Sequence, residues 1–261
     1  MMRSSRHLLR ASVAVLCIGA SAGCFGAKAP AGPERSPGEV YARVFGANPG
    51  LTSLRAVVEA RLSYAGRRIS LPGVLLLDNL GGFRLELLDP LERVVAMIYS
   101  ESGRIVQYRP GTGVAASLGV FPAGCRAVTP EDWVGAVLAG SPGAAPAERL
   151  TVRRLWNDRL LERWRDGALR QSVRVQEKGG EVLPRLYSWY CGDDAVLQLG
   201  VKGSVQAGGR RLPTALTVEY VKAGLSVTLE LREVESNPSF AGAPVRPRLA
   251  EGTRWTSWRL P

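Results

Sequence analysis

One cysteine near the start of the chain has neighbours that favour covalent lipid attachment. Cys24 directly follows Ser21, Ala22 and Gly23, three small residues. This arrangement is typical of a lipobox, in which the cysteine thiol takes a diacylglyceryl group and a peptidase cuts just before it. The alternative is an ordinary secretory signal with a chance cysteine. Cys17 fits the lipobox pattern poorly, because large apolar residues precede it.

The residues before Cys24 form a three-part export signal. Arg3, Arg6 and Arg10 give a basic start, and an apolar run of residues 11–20 follows. That run is too short for a membrane-spanning helix, which needs about 20 residues. We therefore predict a signal peptide at residues 1–23 and a mature protein that is anchored to a membrane by lipid on Cys24.

The segment after the lipidated cysteine is rich in Pro, Gly and Ala. Residues 24–38 have too few large apolar side chains to build a core, so we expect a flexible tether. No aspartate follows Cys24 in the position that retains many lipoproteins in the inner membrane. This favours the outer membrane, with the folded part facing the periplasm.

The mature chain has few side chains suited to catalysis. Its only histidine, His7, lies in the signal peptide, which excludes a Ser-His-Asp or Cys-His mechanism and any histidine-containing metal site. A carboxylate pair such as Glu86 and Glu162 remains conceivable, but nothing distinguishes these residues from solvated strand acids. We predict no enzymatic activity, no catalytic residue, no metal and no cofactor.

Charge and cysteines narrow the class of partner. Three of the 34 basic residues lie in the signal, which leaves 31 against 23 acidic residues. An exported basic protein meets lipid headgroups or acidic proteins and not nucleic acid. Arginines recur along residues 153–165. We interpret them as the solvated face of strands, with a surface for anionic headgroups or for an acidic donor protein as the alternative. Cys125 and Cys191 are the remaining mature cysteines and form a possible disulfide, which the sequence leaves open.

The folded part has mainly strand patterns. Helix start signals occur at Ser36 and Thr129, whereas alternation of apolar and polar residues dominates from about Val58 onward. We predict ten or more antiparallel strands in a single curved sheet. Residues 74–77 and 94–98 are apolar on both faces. Something must therefore cover both faces, or one face must line an apolar cavity.

Three stretches carry a resemblance to a known family. They are residues 82–91 (GFRLELLDPL), residues 130–143 (PEDWVGAVLAGSPG), and Arg211-Leu212-Pro213 followed by residues 225–231. In this order they resemble the LolA/LolB-like carriers of bacterial lipoproteins, and the outer-membrane receptor LolB most closely. The similarity covers most of residues 50–235. Asp89 and Glu92 depart from the family's Asn-Pro-Leu-Gly corner, in which they replace Asn and Gly.

The resemblance implies a fold and a set of site residues. It implies an unclosed antiparallel β-barrel over residues 39–235, with a short helical lid above an apolar cavity. Residues 236–261 match nothing in the family and form a C-terminal extension of unclear role. Pro90 and Leu91 match the family's exposed membrane-insertion loop. The candidate cavity residues are Leu75, Leu77, Phe83, Leu85, Leu87, Val94, Ala96, Ile98, Trp133 and Val137.

The resemblance also implies a function. A monomer anchored in the outer membrane receives the acyl chains of lipoproteins from a periplasmic LolA-type carrier and inserts them into the membrane. Two alternatives remain open at this point. The same fold carries another lipid or a glycolipid, or the chain is a non-catalytic structural lipoprotein of an envelope complex.

Overall fold

The computed structural model describes residues 35–261, except for 47, 81, 102–103, 119–129, 139–147, 157, 241–244, 246, 248 and 259–261. The predicted signal peptide, Cys24, most of the predicted tether and Cys125 lie outside the described residues. Among the described residues, no helix is long and apolar enough to cross a membrane.

Two α-helices form where their start signals predict them, α1 (Pro37–Phe45) and α2 (Pro130–Val137). At the start of α1, the Ser36 hydroxyl accepts the Glu39 N–H at 3.2 Å, and the Glu39 carboxylate accepts the Ser36 N–H at 2.8 Å. This reciprocal capping box satisfies two donors that a helix start otherwise leaves unpaired. The helix buries Val40, Val44 and Phe45 against the sheet.

Sixteen strands and two short 3-10 turns make up the rest of the described fold. The 3-10 turns are Pro110–Thr112 and Val221–Ala223. The strands are β1 (Ser53–Tyr64), β2 (Arg67–Asp78), β3 (Phe83–Leu88), β4 (Val94–Glu101), β5 (Arg104–Arg109), β6 (Val114–Leu118), β7 (Arg149–Leu155), β8 (Asp158–Arg165), β9 (Ala168–Lys178), β10 (Glu181–Cys191), β11 (Asp194–Lys202), β12 (Val205–Ala207), β13 (Arg210–Leu212), β14 (Ala215–Tyr220), β15 (Leu225–Ser236) and β16 (Arg254–Trp258).

Fourteen strands form one sheet, and β12 and β13 form a separate hairpin. The order across the sheet is β16-β6-β5-β4-β3-β2-β1-β15-β14-β11-β10-β9-β8-β7. Neighbours pair antiparallel except β16 and β6, which are parallel. The sheet curves but does not close, since β16 and β7 remain its two edges. The predicted unclosed antiparallel barrel is confirmed.

The two faces of the sheet carry different clusters. Leu75, paired with Ala56 and Leu85, belongs to the main core on the inner face, which also includes apolar residues of α1 and α2. The outer face carries a second cluster that includes Tyr99 and Tyr108, which we call the outer cluster. Adjacent residues of a strand point to opposite faces, so β4 supplies both clusters.

The C-terminal extension covers part of the outer face. It leaves β15 at Asn237, whose side-chain Oδ1 accepts the Thr52 N–H at 2.8 Å. Further along, Leu249 packs against the outer cluster, and β16 then pairs with β6 in parallel register. A parallel pair cannot be joined by a tight hairpin, and here Leu249, in the segment that leads to β16, packs on the outer face. In β4, Tyr99 is buried in the outer cluster and Ala96 is buried in the main core of the inner face.

Candidate functional site

The hairpins alternate between two ends of the sheet, which we call rim 1 and rim 2. Rim 1 carries the turns at residues 65–66 and 89–93 and both 3-10 turns. Rim 2 carries the turns at residues 79–82 and 179–180 and the β12–β13 hairpin.

An apolar cavity of about 110 Å³ lies between the inner face and α2. We call it the aliphatic cavity. The rings of Phe83 on β3 and Trp133 on α2 lie 4.8 Å apart, centroid to centroid, in its wall. Of the described residues that line it, Gln107 is the one with an amide or charged side chain. Those lining residues are Leu62, Leu75, Phe83, Leu85, Ile98, Ile105, Gln107, Trp133, Val218, Tyr220, Leu225, Val227 and Leu229.

The structure brings half of the predicted cavity residues to this site. Leu75, Phe83, Leu85, Ile98 and Trp133 line the aliphatic cavity.

The other predicted cavity residues lie nearby. Leu77, Leu87 and Ala96 are buried in the same core but do not line the cavity. Val94, at the start of β4, is half-buried, and Val137 lines a second cavity. Reasoning from sequence missed the contribution of β14 and β15, although the alternation of Leu225, Val227 and Leu229 gave the signal for it.

Trp133 brings a polar group to this apolar site. Its side chain is buried, and its indole N–H has no hydrogen-bond partner among the described residues. An unpaired buried donor costs about 1–3 kcal/mol, so a ligand with an acceptor atom would recover part of that cost.

The second cavity, of about 160 Å³, lies about one turn further along α2 and is lined by Ala136 and Val137 of that helix. Because Ser204 and Arg211 of rim 2 also line it, we call it the rim-2 cavity. Its remaining lining combines apolar side chains with Asn48 and a second arginine, Arg185. No feature of the sequence had pointed to this cavity.

The predicted membrane-insertion loop is an exposed turn at rim 1. The Asp89 carboxylate accepts the N–H groups of Leu91 and Arg93, each at 2.9 Å, and the Arg93 Nε at 2.8 Å. The hydrogen bonds from Arg93 lower the pKa of Asp89. Glu92 takes a φ of 60°, and Leu91 is 72% exposed, as is much of Pro90. The turn thus presents an apolar side chain to solvent.

Rim 1 carries further exposed groups around the β1–β2 turn. Ile69 is 57% exposed, and Arg67 and Arg68 beside it are exposed as well. Apolar and cationic side chains therefore share this rim with Leu91.

The carboxylates considered for catalysis are not brought together. Glu86 on β3 pairs with Arg84, and Glu162 on β8 pairs with Arg153. Seven other strands lie between β3 and β8 in the sheet order. Within the described part of the chain, no group of three or more His, Cys, Asp or Glu side chains is placed to hold a metal ion.

The arginines of β8 differ from the predicted solvated face. Arg163 lies on the inner face beside Leu161, with its side chain 15% exposed, and its Nη2 contacts the Glu148 carboxylate at 2.7 Å. Arg165 contacts the same carboxylate at 2.6 Å. Tyr41 of α1 packs over Arg163, with the guanidinium carbon 5.6 Å from the ring centroid. We call these charged side chains under α1 the arginine network.

A second carboxylate completes the arginine network. Arg35 and Arg159 both contact the Glu177 carboxylate at 3.1 Å, so the chain before α1 is also held to the sheet. Burial by itself would raise the pKa of Glu148, but hydrogen bonds and charges from Arg163 and Arg165 outweigh burial and lower this pKa. The Glu148 carboxylate is therefore charged at neutral pH.

One of the two cysteines in question lies among the described residues. Cys191, at the end of β10, is disulfide-bonded. Cys125 lies outside those residues, and the Cys125–Cys191 pairing stays a prediction.

Comparisons with known proteins assign the fold. No protein-family model matches the sequence, and no curated protein matches it at a significant level. A DUF1329 family protein from Desulfovibrio piger superposes with a TM-score of 0.54 at 13% identity, over 78% of this chain and 94% of that one. A putative outer membrane lipoprotein-sorting protein domain from Vibrio parahaemolyticus superposes with a TM-score of 0.52 at 12% identity, over 77% and 92%. The chain has a LolA/LolB-like fold.

At these identities the similarity concerns the LolA/LolB-like fold alone. The predicted resemblance is confirmed at that level. In this chain α2 covers part of the inner face of the open sheet and contributes Trp133 to the aliphatic cavity and Val137 to the rim-2 cavity.

Proposed function

We propose that the chain is a lipid-anchored envelope protein that carries the acyl chains of lipoproteins or other lipids and delivers them to the outer membrane. The observation that carries this proposal is the aliphatic cavity, enclosed by an open LolA/LolB-like sheet and α2. The Vibrio parahaemolyticus protein, whose description names lipoprotein sorting, shares that fold and supports the proposal.

The wall of the aliphatic cavity suits a carrier that must also release its cargo. Transfer of a methylene from water to an apolar site is worth about 0.8 kcal/mol. The apolar surface that acyl chains bury in the cavity therefore supplies their binding free energy. Aliphatic walls make no directional bonds and therefore tolerate chains of different length. In this proposal the Trp133 N–H, which has no acceptor within the described part of the chain, donates to an ester carbonyl of the cargo.

Loading requires α2 to move. Ligand pockets usually measure about 300–1,000 Å³, whereas the aliphatic cavity measures about 110 Å³. Trp133 and Val137 of α2 line the aliphatic cavity and the rim-2 cavity, respectively. When α2 withdraws, the two spaces join into one channel along the inner face.

Unloading takes place at rim 1. Leu91 inserts its side chain into the bilayer, and Arg67 and Arg68 contact anionic headgroups. A periplasmic LolA-type carrier supplies the cargo to the protein, which acts as a monomer. The cycle contains no catalytic step.

A transfer assay with the lipidated full-length mature protein in vesicles tests this proposal. Leu91→Glu is the test variant, and Leu80→Glu is its matched control. Leu80 is 85% exposed at rim 2, and its N–H donates to Asp78 at 3.0 Å, as the Leu91 N–H donates to Asp89. The N–H of each leucine thus donates to the aspartate two residues earlier, but the two leucines lie at opposite rims of the sheet.

We expect the wild-type protein to co-purify with acyl lipid, as seen by mass spectrometry, and to transfer a lipidated test protein. Leu91→Glu retains lipid but loses transfer at least tenfold, and Leu80→Glu transfers like the wild type. Bound lipid without any transfer would indicate another lipid cargo. If neither lipid nor transfer is found, the carrier proposal is wrong and a structural role in an envelope complex is the better account.

A further inference from the structure

The rim-2 cavity has an apolar interior and a cationic mouth. Val44, Val137 and Leu216 form part of its apolar wall, whereas Arg185 and Arg211 bring guanidinium groups to the same space. A site with this division matches a molecule that has an apolar chain at one end and a negative group at the other.

Among the described residues, Arg185 has no carboxylate partner and Arg211 has an exposed one. Arg185 donates to the neutral side-chain oxygen of Gln176, and none of the described carboxylates forms a salt bridge with Arg185. Arg211 pairs with Glu181, whose side chain is 61% exposed, and donates from Nε to the Ser204 hydroxyl at 2.8 Å. Since an exposed ion pair is screened by water, an incoming anion competes easily for Arg211.

A buried hydroxyl in the same cavity lacks a partner. Tyr187 lines the cavity with 0% of its surface exposed, and its hydroxyl has no hydrogen-bond partner among the described residues. Burial raises the pKa of Tyr187, so the group remains a neutral donor. Buried polar groups in native proteins are nearly always hydrogen-bonded, which makes this hydroxyl a candidate ligand contact.

One strand carries both of these groups. Arg185 and Tyr187 are two residues apart on β10, where Arg185 stands at a β-bulge, and both side chains line the rim-2 cavity. A ligand whose negative headgroup contacts Arg185 can therefore present an acceptor to the Tyr187 hydroxyl in the same space. A single-chain acyl ester of glycerol phosphate carries both groups.

We propose that the rim-2 cavity binds a single-chain amphiphile with an anionic phosphate headgroup and an acyl ester. Arg185 and Arg211 contact the phosphate, and the Tyr187 hydroxyl donates to the ester carbonyl. The apolar part of this cavity, about 160 Å³ in all, suits a short chain segment, since an apolar cavity of about 150 Å³ holds a benzene molecule. The residues of this proposal do not line the aliphatic cavity, so binding at the rim-2 cavity can fail while the transfer assay succeeds, and transfer can fail while binding succeeds.

Isothermal titration calorimetry on the full mature chain tests the site with four probes. They are a medium-chain monoacylglycerol phosphate, its ether analogue without the carbonyl, the same chain with a zwitterionic phosphocholine headgroup, and inorganic phosphate. We expect one molecule of the acyl phosphate to bind, the phosphocholine lipid to bind at least tenfold more weakly, and inorganic phosphate to bind too weakly to compete. Competition by inorganic phosphate at equal concentration would reduce the site to an anion site and overturn the amphiphile proposal.

Three variants assign the contacts. Arg185→Gln weakens binding of the acyl phosphate at least tenfold, whereas Arg154→Gln, at an exposed arginine of β7, leaves it unchanged. Tyr187→Phe keeps the ring that packs 6.1 Å from Phe45 and 6.0 Å from Trp189. This variant weakens binding of the ester but not of the ether analogue.

The thermal midpoint of each variant separates a lost contact from lost folding. Equal affinity of wild type and Arg185→Gln, in folded proteins, would place the lipid elsewhere and overturn the proposal. If Tyr187→Phe lost the same affinity for the ester and for the ether analogue, the proposed contact between the Tyr187 hydroxyl and the ester carbonyl would be wrong.

Discussion

The same face of one sheet is covered in two physically different ways. Under α2, the strands β1 to β5 present aliphatic side chains and leave a cavity. Under α1, the strands β7 to β9 present the arginine network, in which Arg163 is held by Glu148 and Tyr41. Charge-assisted hydrogen bonds fix distance and angle, whereas aliphatic contacts do not. The comparison indicates that directional contacts fix the position of α1 more strictly than the aliphatic contacts fix that of α2.

Removing a buried aliphatic side chain should have the largest effect on stability. Leu77 is fully buried on the inner face of β2, and Leu77→Ala should lower the free energy of unfolding by about 2–5 kcal/mol. Urea denaturation measures this loss. Leu80→Ala removes the same atoms from an exposed turn and should change stability by less than about 0.5 kcal/mol. Similar losses in both variants would contradict the assigned burial.

The arginine network should respond to loss of its central carboxylate. Glu148→Gln leaves Arg163 and Arg165 without their counter-charge, and we expect a loss of about 1–3 kcal/mol because both arginines retain some contact with water. The control is Glu235→Gln in the exposed pair with Arg55, for which we expect less than about 1 kcal/mol. If the control lost as much stability, the network would be no stronger than a surface ion pair.

Low pH should destabilise the strands of the arginine network before it destabilises the strands under α2. The pKa of Glu148 is lowered in the folded protein, so its contribution to stability is complete above the unfolded-state pKa of about 4.3 and is lost as the pH falls further. We expect hydrogen exchange in β7 to β9 to accelerate below that pH before exchange in β1 to β5 does. Simultaneous opening of both halves would show that the ion pairs do not distinguish them. Glu148→Gln should remove the difference.

The smallest effect should come from the turn at rim 1. Glu92 has a φ of 60°, which is unfavourable for a residue with a Cβ and free of that penalty for glycine. Glu92→Gly should therefore change stability by no more than about 1 kcal/mol, with a gain expected where relief of strain exceeds the added flexibility. Thermal unfolding measures the sign, and Glu233→Gly, at a φ of 46° within β15, provides a comparison inside a strand.

Much of the fold follows from local signals in the sequence. The capping residues Ser36 and Glu39 predict the start of α1, because that motif satisfies backbone donors locally. The alternation in β1 and the corner at Asp89 predict strands and turns for similar local reasons. Half of the predicted cavity residues line the aliphatic cavity, since β3 and β4 are neighbours both in sequence and in the sheet.

The remaining features depend on contacts between distant parts of the chain. Arg163 alternates with its neighbours like any solvated strand residue. The face of β8 that carries Arg163 is buried because α1, more than a hundred residues earlier in the chain, packs over it. The rim-2 cavity likewise requires β10 to meet Arg211 and α1. The sequence of residues 236–261 gives no indication that this segment crosses the outer face. Periodicity identifies an apolar face but not the segment that covers it.

The parallel pairing of β16 with β6 has a consequence for how the protein folds. The Thr256 hydroxyl donates to the Ala115 carbonyl across a sequence separation of 141 residues, so closing this contact costs far more chain entropy than closing a hairpin. We expect β16 to dock late, after the meander from β1 to β6 has formed. Until then β6 is an open edge beside uncovered tyrosines, a surface on which another strand could add. Docking of β16 therefore covers the edge of β6, and the short strand β16 becomes the edge of the finished sheet.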